Sequence, residues 1–173
     1  MPSGVIVAEA PSGRLVFGND RAQEIFAAGY HESAAVEDYV HWRPHREDGT
    51  PYDPQDVPMA RALGGENVLG EVMQFPRPDG SWITVSINAT PVQDGEGRIT
   101  AAVAVILDIT EQRRATRALH ESEQRYRALF ANMTEGFALG EAILDENGVG
   151  CDFRFLEIND AFERQTGLTR EIL

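Results

Sequence analysis

Apolar and polar positions alternate along this chain in a pattern that predicts five strands in the first 110 residues. Five apolar runs bounded by turn residues lie at positions 4–8, 14–17, 68–75, 83–89 and 99–107. Residues 83–89 alternate strictly between apolar and polar, as a half-buried strand does. Residues 99–107 are apolar at almost every position, so both faces of this strand need cover.

Helix signals fall between the second and third strands. Asn19 is placed to cap a helix over residues 20–28, which Gly29 would end. A second short helix is predicted over residues 57–63, with Asp56 as its cap. Residues 30–55, between the two, are rich in charge, His and Pro and are predicted to be irregular. Two strands, helices and three strands make an α+β domain over residues 1–110.

The last strand runs directly into a charged stretch without Gly or Pro, residues 111–131, which predicts a long linker helix. Thr110 is expected to cap this helix with its hydroxyl, and Asp108 to pair with a basic group. Apolar or small residues with heptad spacing form a seam along it: Leu119, Tyr126 and Met133, with Ala115, Ser122 and Leu129 at the alternate positions. The seam predicts a short coiled coil that needs a partner. Asp108, Thr110, Leu119 and Tyr126 are therefore the candidate residues for signal transmission.

The opening pattern repeats after this helix. Asn19-Asp20 and Asn159-Asp160 stand 140 residues apart, each after a predicted hairpin. Residues 132–173 thus hold two strands and a helix of a second copy of the module, without the three strands that would complete its sheet.

Composition narrows the function classes. The chain has 15 basic and 28 acidic residues and a net charge of -13, which disfavours nucleic acid and anionic membrane surfaces as partners. A single cysteine, Cys151, excludes an internal disulfide and favours a reducing, cytoplasmic setting. No stretch approaches the ~18 consecutive apolar residues of a membrane span.

Several motifs together resemble the PAS sensor-domain family. They are the opening hairpin, the Asn-Asp helix starts, and the segments at residues 77–82, 91–97, 108–110 and 123–130. The resemblance implies a five-stranded antiparallel sheet with helices on one face, followed by the linker helix and a partial second PAS domain. It also implies a homodimer that senses a ligand or redox state ahead of an output domain in the same chain. That output is most often a histidine kinase in a phosphorelay, and less often a diguanylate cyclase.

Some histidines and the cysteine could suggest a phospho-acceptor, a metal site or a cofactor site, but the residues around them disfavour each of these. His120-Glu121 lacks the residues that follow a kinase phospho-acceptor histidine. Pro44 prevents a helix that would bring His41 and His45 together as metal ligands. No histidine lies in the short helix where a haem-binding domain of this family would place one, and Cys151 lies outside the first domain, where a flavin photosensor needs its cysteine. No cofactor, metal site or catalytic constellation is predicted.

Nine apolar residues remain as candidates for lining a ligand cavity, although plain core packing would produce the same pattern. They are Trp42, Met59, Leu63, Met73, Phe75, Val85, Ile87, Val103 and Val105. The sequence thus predicts a sensory and dimerisation module. Three alternatives stay open: a ligand-free dimerisation scaffold, a module of a diguanylate cyclase, and an enzyme fragment with its active site in residues 30–55.

Overall fold

A computed structural model describes residues 3–26, 31–146 and 148–168 of the chain. The strands are β1 (Gly4–Glu9), β2 (Arg14–Gly18), β3 (Val68–Pro76), β4 (Trp82–Gln93), β5 (Ile99–Asp108), β6 (Ala138–Leu144) and β7 (Gly150–Ile158). The helices are α1 (Asp20–Phe26), a 3-10 helix (Val36–Trp42), α2 (Pro58–Leu63), α3 (Thr110–Asn132) and α4 (Asp160–Thr166). The chain divides into two compact units, Met1–Arg114 and Ala115–Leu173, here called the first and second units.

The first unit is built on an antiparallel five-stranded sheet in the order β2-β1-β5-β4-β3. Alternate residues of the strands, such as Ile6, Val85 and Ile106, join one buried core with residues of the helices, such as Ile25 and Met59. The helices therefore cover one face of the sheet, and the predicted α+β class with a five-stranded antiparallel sheet is confirmed.

Segment 31–57 differs from its sequence prediction. It contains the 3-10 helix, which buries Val36 and Tyr39 although the surrounding charge suggested irregular structure. Val57, and not Asp56, is the residue that precedes α2, and no side chain caps this helix. Asp56 instead pairs with Arg46 at 3.1 Å. Pro58, in the first turn of α2, has no N–H, so this helix start has one fewer amide that needs an acceptor. The predicted end of the first helix, at Ala28 and Gly29, lies outside the described residues.

The second unit contains most of α3, the antiparallel pair β6–β7, and α4. Asn159 caps α4 through its side chain, and Gly167 ends it in the left-handed region at φ 76°. Most side chains of β6 and β7 are exposed, and Ile158 and Ala161 are buried. Among the described helices, none combines the length and the apolar character that a membrane crossing requires.

Candidate functional site

An apolar cavity of about 80 Å³ lies inside the first unit, between the sheet and the helices. Sheet residues form one wall: Ile6, Leu15, Met73, Phe75, Ile87, Ala104 and Ile106. Helices and the loop before α2 form the other: Phe26, Tyr39, Trp42, Pro44, Val57, Pro58 and Met59. Well-packed cores leave few voids larger than a water molecule. A cavity of this volume therefore has room for a small guest molecule.

Polar groups in the cavity wall already have partners within the protein. Among the described wall residues, only Tyr39 and Trp42 have a side-chain nitrogen or oxygen. The Tyr39 hydroxyl donates to the carbonyl oxygen of Gly13 at 2.6 Å, and burial raises the pKa of this phenol. The Trp42 Nε1–H donates to the Ser33 hydroxyl at 3.0 Å. The cavity therefore favours an apolar guest, because a polar guest would lose its hydrogen bonds to water without replacing them.

Five of the nine cavity candidates from the sequence lie in this wall, and two lie in the core beside it. Trp42, Met59, Met73, Phe75 and Ile87 line the cavity. Val85 is completely buried and Leu63 is partly buried against the same core, outside the wall.

Val103 and Val105 are corrections to the prediction. Both lie on the outer face of the sheet, where Val105 is 37% exposed. Val105 pairs with the exposed Asn88 of β4, and Val103 pairs with Thr90. Directly paired residues share one face of an antiparallel sheet, so these valines face away from the helices.

The cavity wall instead contains Ala104 and Ile106, which were not among the predicted cavity residues. Strand β5 is apolar at consecutive positions, so its own pattern does not tell one face from the other. The alternation in β4 carries the missing signal, because Ala104 and Ile106 pair with the buried Ala89 and Ile87.

The junction between β5 and α3 is held by hydrogen bonds that differ from the expected cap. The Asp108 carboxylate accepts from the Thr110 backbone N–H at 2.9 Å and lies 3.6 Å from the Arg77 guanidinium, which is the basic partner expected for it. The Thr110 hydroxyl is turned away from its own helix. It accepts from the backbone N–H of Thr84 in β4 at 2.9 Å, and Thr110 is buried.

The start of α3 is therefore fixed to strand β4 as well as to β5. The Ile109 N–H adds a bond to the carbonyl oxygen of Thr84 at 2.9 Å. A cap would have been a contact within the helix. The observed contacts of Thr110 and Ile109 tie the first turn of α3 to the sheet.

Leu119 and Tyr126, the transmission candidates on α3, are exposed by 63% and 49% in the second unit. The Tyr126 hydroxyl donates to Glu157 at 3.0 Å, and this bond raises the pKa of Tyr126. Leu129 and Met133 of the same seam are also exposed. The described chain thus leaves the seam largely uncovered.

Residues 30–55, where an enzyme fragment would place its active site, contribute Arg46 and Tyr52 to a polar network that joins them to α2 and β3. The Tyr52 hydroxyl donates to Glu71 at 2.8 Å, and Arg61 pairs with both Glu71 and Glu66. The Arg46 guanidinium lies 4.0 Å from the centre of the Tyr52 ring. Burial, together with the bond to Glu71, raises the pKa of Tyr52 to about 12. These contacts fasten the segment to the helix that borders the cavity.

The histidine and cysteine candidates lie on different elements of the chain. Nδ1 of His45 lies 2.8 Å from the Arg43 carbonyl oxygen, and the His45 ring contacts Trp82. His120 is exposed on α3 and bonds Gln124, while Cys151 is exposed on β7. Within residues 3–26, 31–146 and 148–168, no group of three or more His, Cys, Asp or Glu side chains is arranged to hold a metal ion.

Comparison with known protein families matches residues 2–111 to a PAS domain, and residues 124–173 to a PAS domain as well. Among solved structures, an RNA-binding light-oxygen-voltage receptor is similar over 72% of this chain, with 23% identity and a TM-score of 0.51. The chain spans 34% of the length of that receptor.

Two bacterial structures are similar at lower TM-scores. A sensory box histidine kinase/response regulator from Burkholderia thailandensis has 14% identity and a TM-score of 0.46, over 74% of this chain and 92% of the other. The N-terminal domain of a diguanylate cyclase with PAS/PAC sensor from Marinobacter aquaeolei has 16% identity and a TM-score of 0.48, over 64% and 98%. At these identities the likeness concerns the fold alone.

Proposed function

Since this chain belongs to the PAS domain family, we propose that its first unit detects a small ligand in the apolar cavity and transmits the state of the cavity through α3. The observation that carries this proposal is the course of β5. Ala104 and Ile106 of this strand line the cavity, and the strand ends at Asp108, directly before α3. A displacement of β5 by a guest reaches the helix through a single continuous segment.

Dimerisation and output complete the proposed function. Apolar side chains are exposed on the outer face of the sheet, including Phe17, Val105 and Leu107, and along the α3 seam. A parallel homodimer would cover both surfaces. The proposed output is a histidine kinase domain downstream in the same protein, with a diguanylate cyclase as the second possibility, as the family resemblance implies.

A ligand-free scaffold is the main competing function. A tightly packed interior next to α2 would favour it, and the cavity bordered by Val57, Pro58 and Met59 favours a ligand instead. An enzyme fragment would need catalytic groups in residues 30–55. The perturbed pKa of Tyr52 there is accounted for by burial and the bond to Glu71, so the sensory function has the stronger support.

The decisive experiment combines a change in the cavity with a change at the junction, in the protein that carries the output domain. Ala104→Leu fills the cavity and is expected to change output activity, as a guest would. The matched control is Ala34→Leu, which adds the same atoms at an exposed position outside the sheet and the cavity and is expected to leave output unchanged.

Junction variants then test the route to the helix. In Asp108→Ala or Thr110→Ala, the effect of Ala104→Leu on output is expected to disappear while the melting temperature of the first unit stays close to that of the parent. Thr110→Ser keeps the hydroxyl that bonds Thr84 and is expected to keep the effect. If Ala104→Leu changes output equally with and without the junction bonds, the route through Asp108 and Thr110 is wrong.

A further inference from the structure

A second concave site, distinct from the cavity, lies where the 3-10 helix approaches the ends of β3 and β4. It is a cleft of about 170 Å³ between residues 41–43 and the Pro76-Arg77-Pro78 segment, and it is called here the arginine cleft. Phe26, Trp42 and Phe75 line both the cleft and the cavity, so one aromatic layer separates the two sites.

The arginine cleft is basic in a strongly acidic protein. Arg43, Arg77, His31 and His41 line it, and its described wall contains no carboxylate, although the chain has 28 acidic residues and a net charge of -13. Two guanidinium groups, with no carboxylate in the described wall, favour an anion at this place.

Arg43 differs from the other arginines of the first unit. All fifteen basic residues of the chain are arginines, and eight of the nine in the first unit have a carboxylate within 4.0 Å. Within the part of the chain that the structure describes, Arg43 is the exception, and it is exposed at the cleft. A guanidinium without a carboxylate partner retains its donors for a planar anion.

The floor of the cleft is apolar. The Phe26 ring makes edge-to-face contacts with Trp42 and Phe75, with ring centres 4.8 Å and 5.0 Å apart, and Ile83 is buried beside them. A closed apolar cavity of about 150 Å³ can hold benzene, so this cleft has room for a single ring. The combination of a basic rim with an aromatic floor selects an anion that carries an apolar body.

We propose that the arginine cleft binds a small carboxylate with an aromatic or compact aliphatic body, and that this carboxylate competes with Asp108 for Arg77. Arg77 lines the cleft and lies 3.6 Å from the Asp108 carboxylate, which in turn accepts the Thr110 N–H at the start of α3. The proposal deepens the proposed function by adding a ligand class, and its second half rests on the transmission route described there.

Binding is tested on the 173-residue chain with three probes at equal ionic strength. Benzoate has both the charge and the ring, benzyl alcohol has only the ring, and inorganic phosphate has only the charge. The readout is the nuclear magnetic resonance shift of the Trp42 indole N–H during titration. Benzoate is expected to bind at least about tenfold more tightly than either other probe, because a hydrogen bond to a charged group contributes about one tenfold step in affinity.

The key variant is Arg43→Asn. Arg43 has φ 51°, and asparagine tolerates this left-handed conformation better than most residues, so the change removes the charge without adding backbone strain. Benzoate affinity is expected to fall about tenfold, as one charge-assisted contact is lost. The matched control Arg98→Gln removes the same charge from the β4–β5 turn and is expected to leave affinity unchanged.

The outcomes separate the parts of the proposal. Benzyl alcohol binding as tightly as benzoate overturns the role of charge, and phosphate binding as tightly overturns the role of the ring. No benzoate binding, or full binding in Arg43→Asn, overturns the site.

Competition for Arg77 predicts that benzoate shifts the Thr110 amide signal in the parent but not in Arg77→Gln. Benzoate that binds without moving this signal overturns the competition while leaving the site. Failure of the transmission route is measured separately. In that case Ala104→Leu changes output equally with and without the junction bonds.

Discussion

Asn19 and Asn159 make the same set of hydrogen bonds, one in each unit. The Asn19 Oδ1 accepts from the backbone N–H groups of Val5 and Ala22, both at 2.9 Å, and its Nδ2 donates to the Ser3 carbonyl oxygen at 3.2 Å. Each asparagine thereby ties the first strand of its hairpin to the first turn of the following helix.

The Asn159 side chain repeats this arrangement with bonds to Phe137, Phe162 and Glu135 at 2.8, 2.8 and 2.9 Å. A glycine accompanies each asparagine. A Cβ on Gly4 would lie 3.0 Å from the Ala22 backbone, and a Cβ on Gly136 would lie 3.1 Å from the Phe162 backbone. The strand and helix approach closely in both units, which explains why the Gly and Asn positions recur together.

Replacing Asn19 by alanine is expected to lower the free energy of unfolding of the first unit by about 2 kcal/mol, because two backbone N–H groups lose their acceptor. Denaturant unfolding followed by Trp fluorescence measures the change. Asn19→Asp keeps the acceptor and loses the donor, so its loss is expected to be smaller. Asn159→Ala is the matched control in the second unit, and an equal effect of both alanine variants on the first unit would contradict this assignment.

Homodimerisation is expected to depend on the exposed seam of α3. Leu119→Glu places a charge in the seam and should shift sedimentation at micromolar concentration from dimer towards monomer. Gln124→Glu adds the same charge to the same helix away from the seam and should leave the dimer intact. A parent chain that sediments as a monomer at every accessible concentration would eliminate the dimer proposal.

Hydrogen exchange is expected to be faster in residues 153–158 of β7 than in residues 83–87 of β4. Within the described residues β7 pairs with β6 alone, and Phe153 and Leu156 are at least half exposed, whereas Ile83 and Val85 are buried. A two-stranded ribbon buries too little apolar surface to resist local opening. Mass spectrometry of the exchanging chain compares the two strands in one sample. Equally slow exchange in both would show that the second unit is independently stable.

Alkaline pH is expected to destabilise the first unit through Tyr52. The folded pKa of this phenol is raised from 10.0 to about 12, by burial first and then by the bond to Glu71. Its contribution to stability is therefore fully present below pH 10.0 and is lost as the pH rises towards about 12, because the unfolded phenol ionises first. Burial of Tyr39 adds a loss in the same direction.

Tyr52→Phe separates the contribution of this residue. The variant is expected to be less stable at neutral pH by about 1 kcal/mol, since the bond to Glu71 is lost. Its melting temperature should then fall less steeply than that of the parent above pH 10.0. The control is Tyr126→Phe, which changes an exposed phenol of the second unit. Parallel pH profiles for Tyr52→Phe and the parent would contradict the assignment.

Much of the fold could be predicted because local signals and the final structure agree. The alternation in β4, the repeated Asn-Asp helix starts and the uninterrupted charged helix are all properties of short segments, and each indicates the same structure that tertiary packing selects. The two-unit repeat could be recognised for the same reason, since Asn19 and Asn159 each accept a backbone N–H from the first turn of the following helix.

The details of the site were harder to predict because they depend on contacts between distant segments. The choice between Val103 and Ala104 as a cavity residue depends on the register of β5 against β4, which a uniformly apolar strand does not reveal. Thr110 is a suitable cap by residue type. In the structure, however, its backbone N–H donates to Asp108, and its hydroxyl accepts from the backbone N–H of Thr84. The arginine cleft has no sequence signal, because Arg43 and Arg77 come from separate elements.

The pairing of β1 with β5 has a consequence for the order in which the protein is made. Gly4 pairs with Ile106, so β1 lacks its central neighbour during synthesis until almost the whole first unit has been made. Until then β1 and β4 each keep an open edge, and the cavity between sheet and helices has no completed wall. The strand that closes the sheet is also the one that continues into α3. A nascent chain therefore acquires its completed sheet and its connection to α3 in the same step, and a chain cut before β5 has neither.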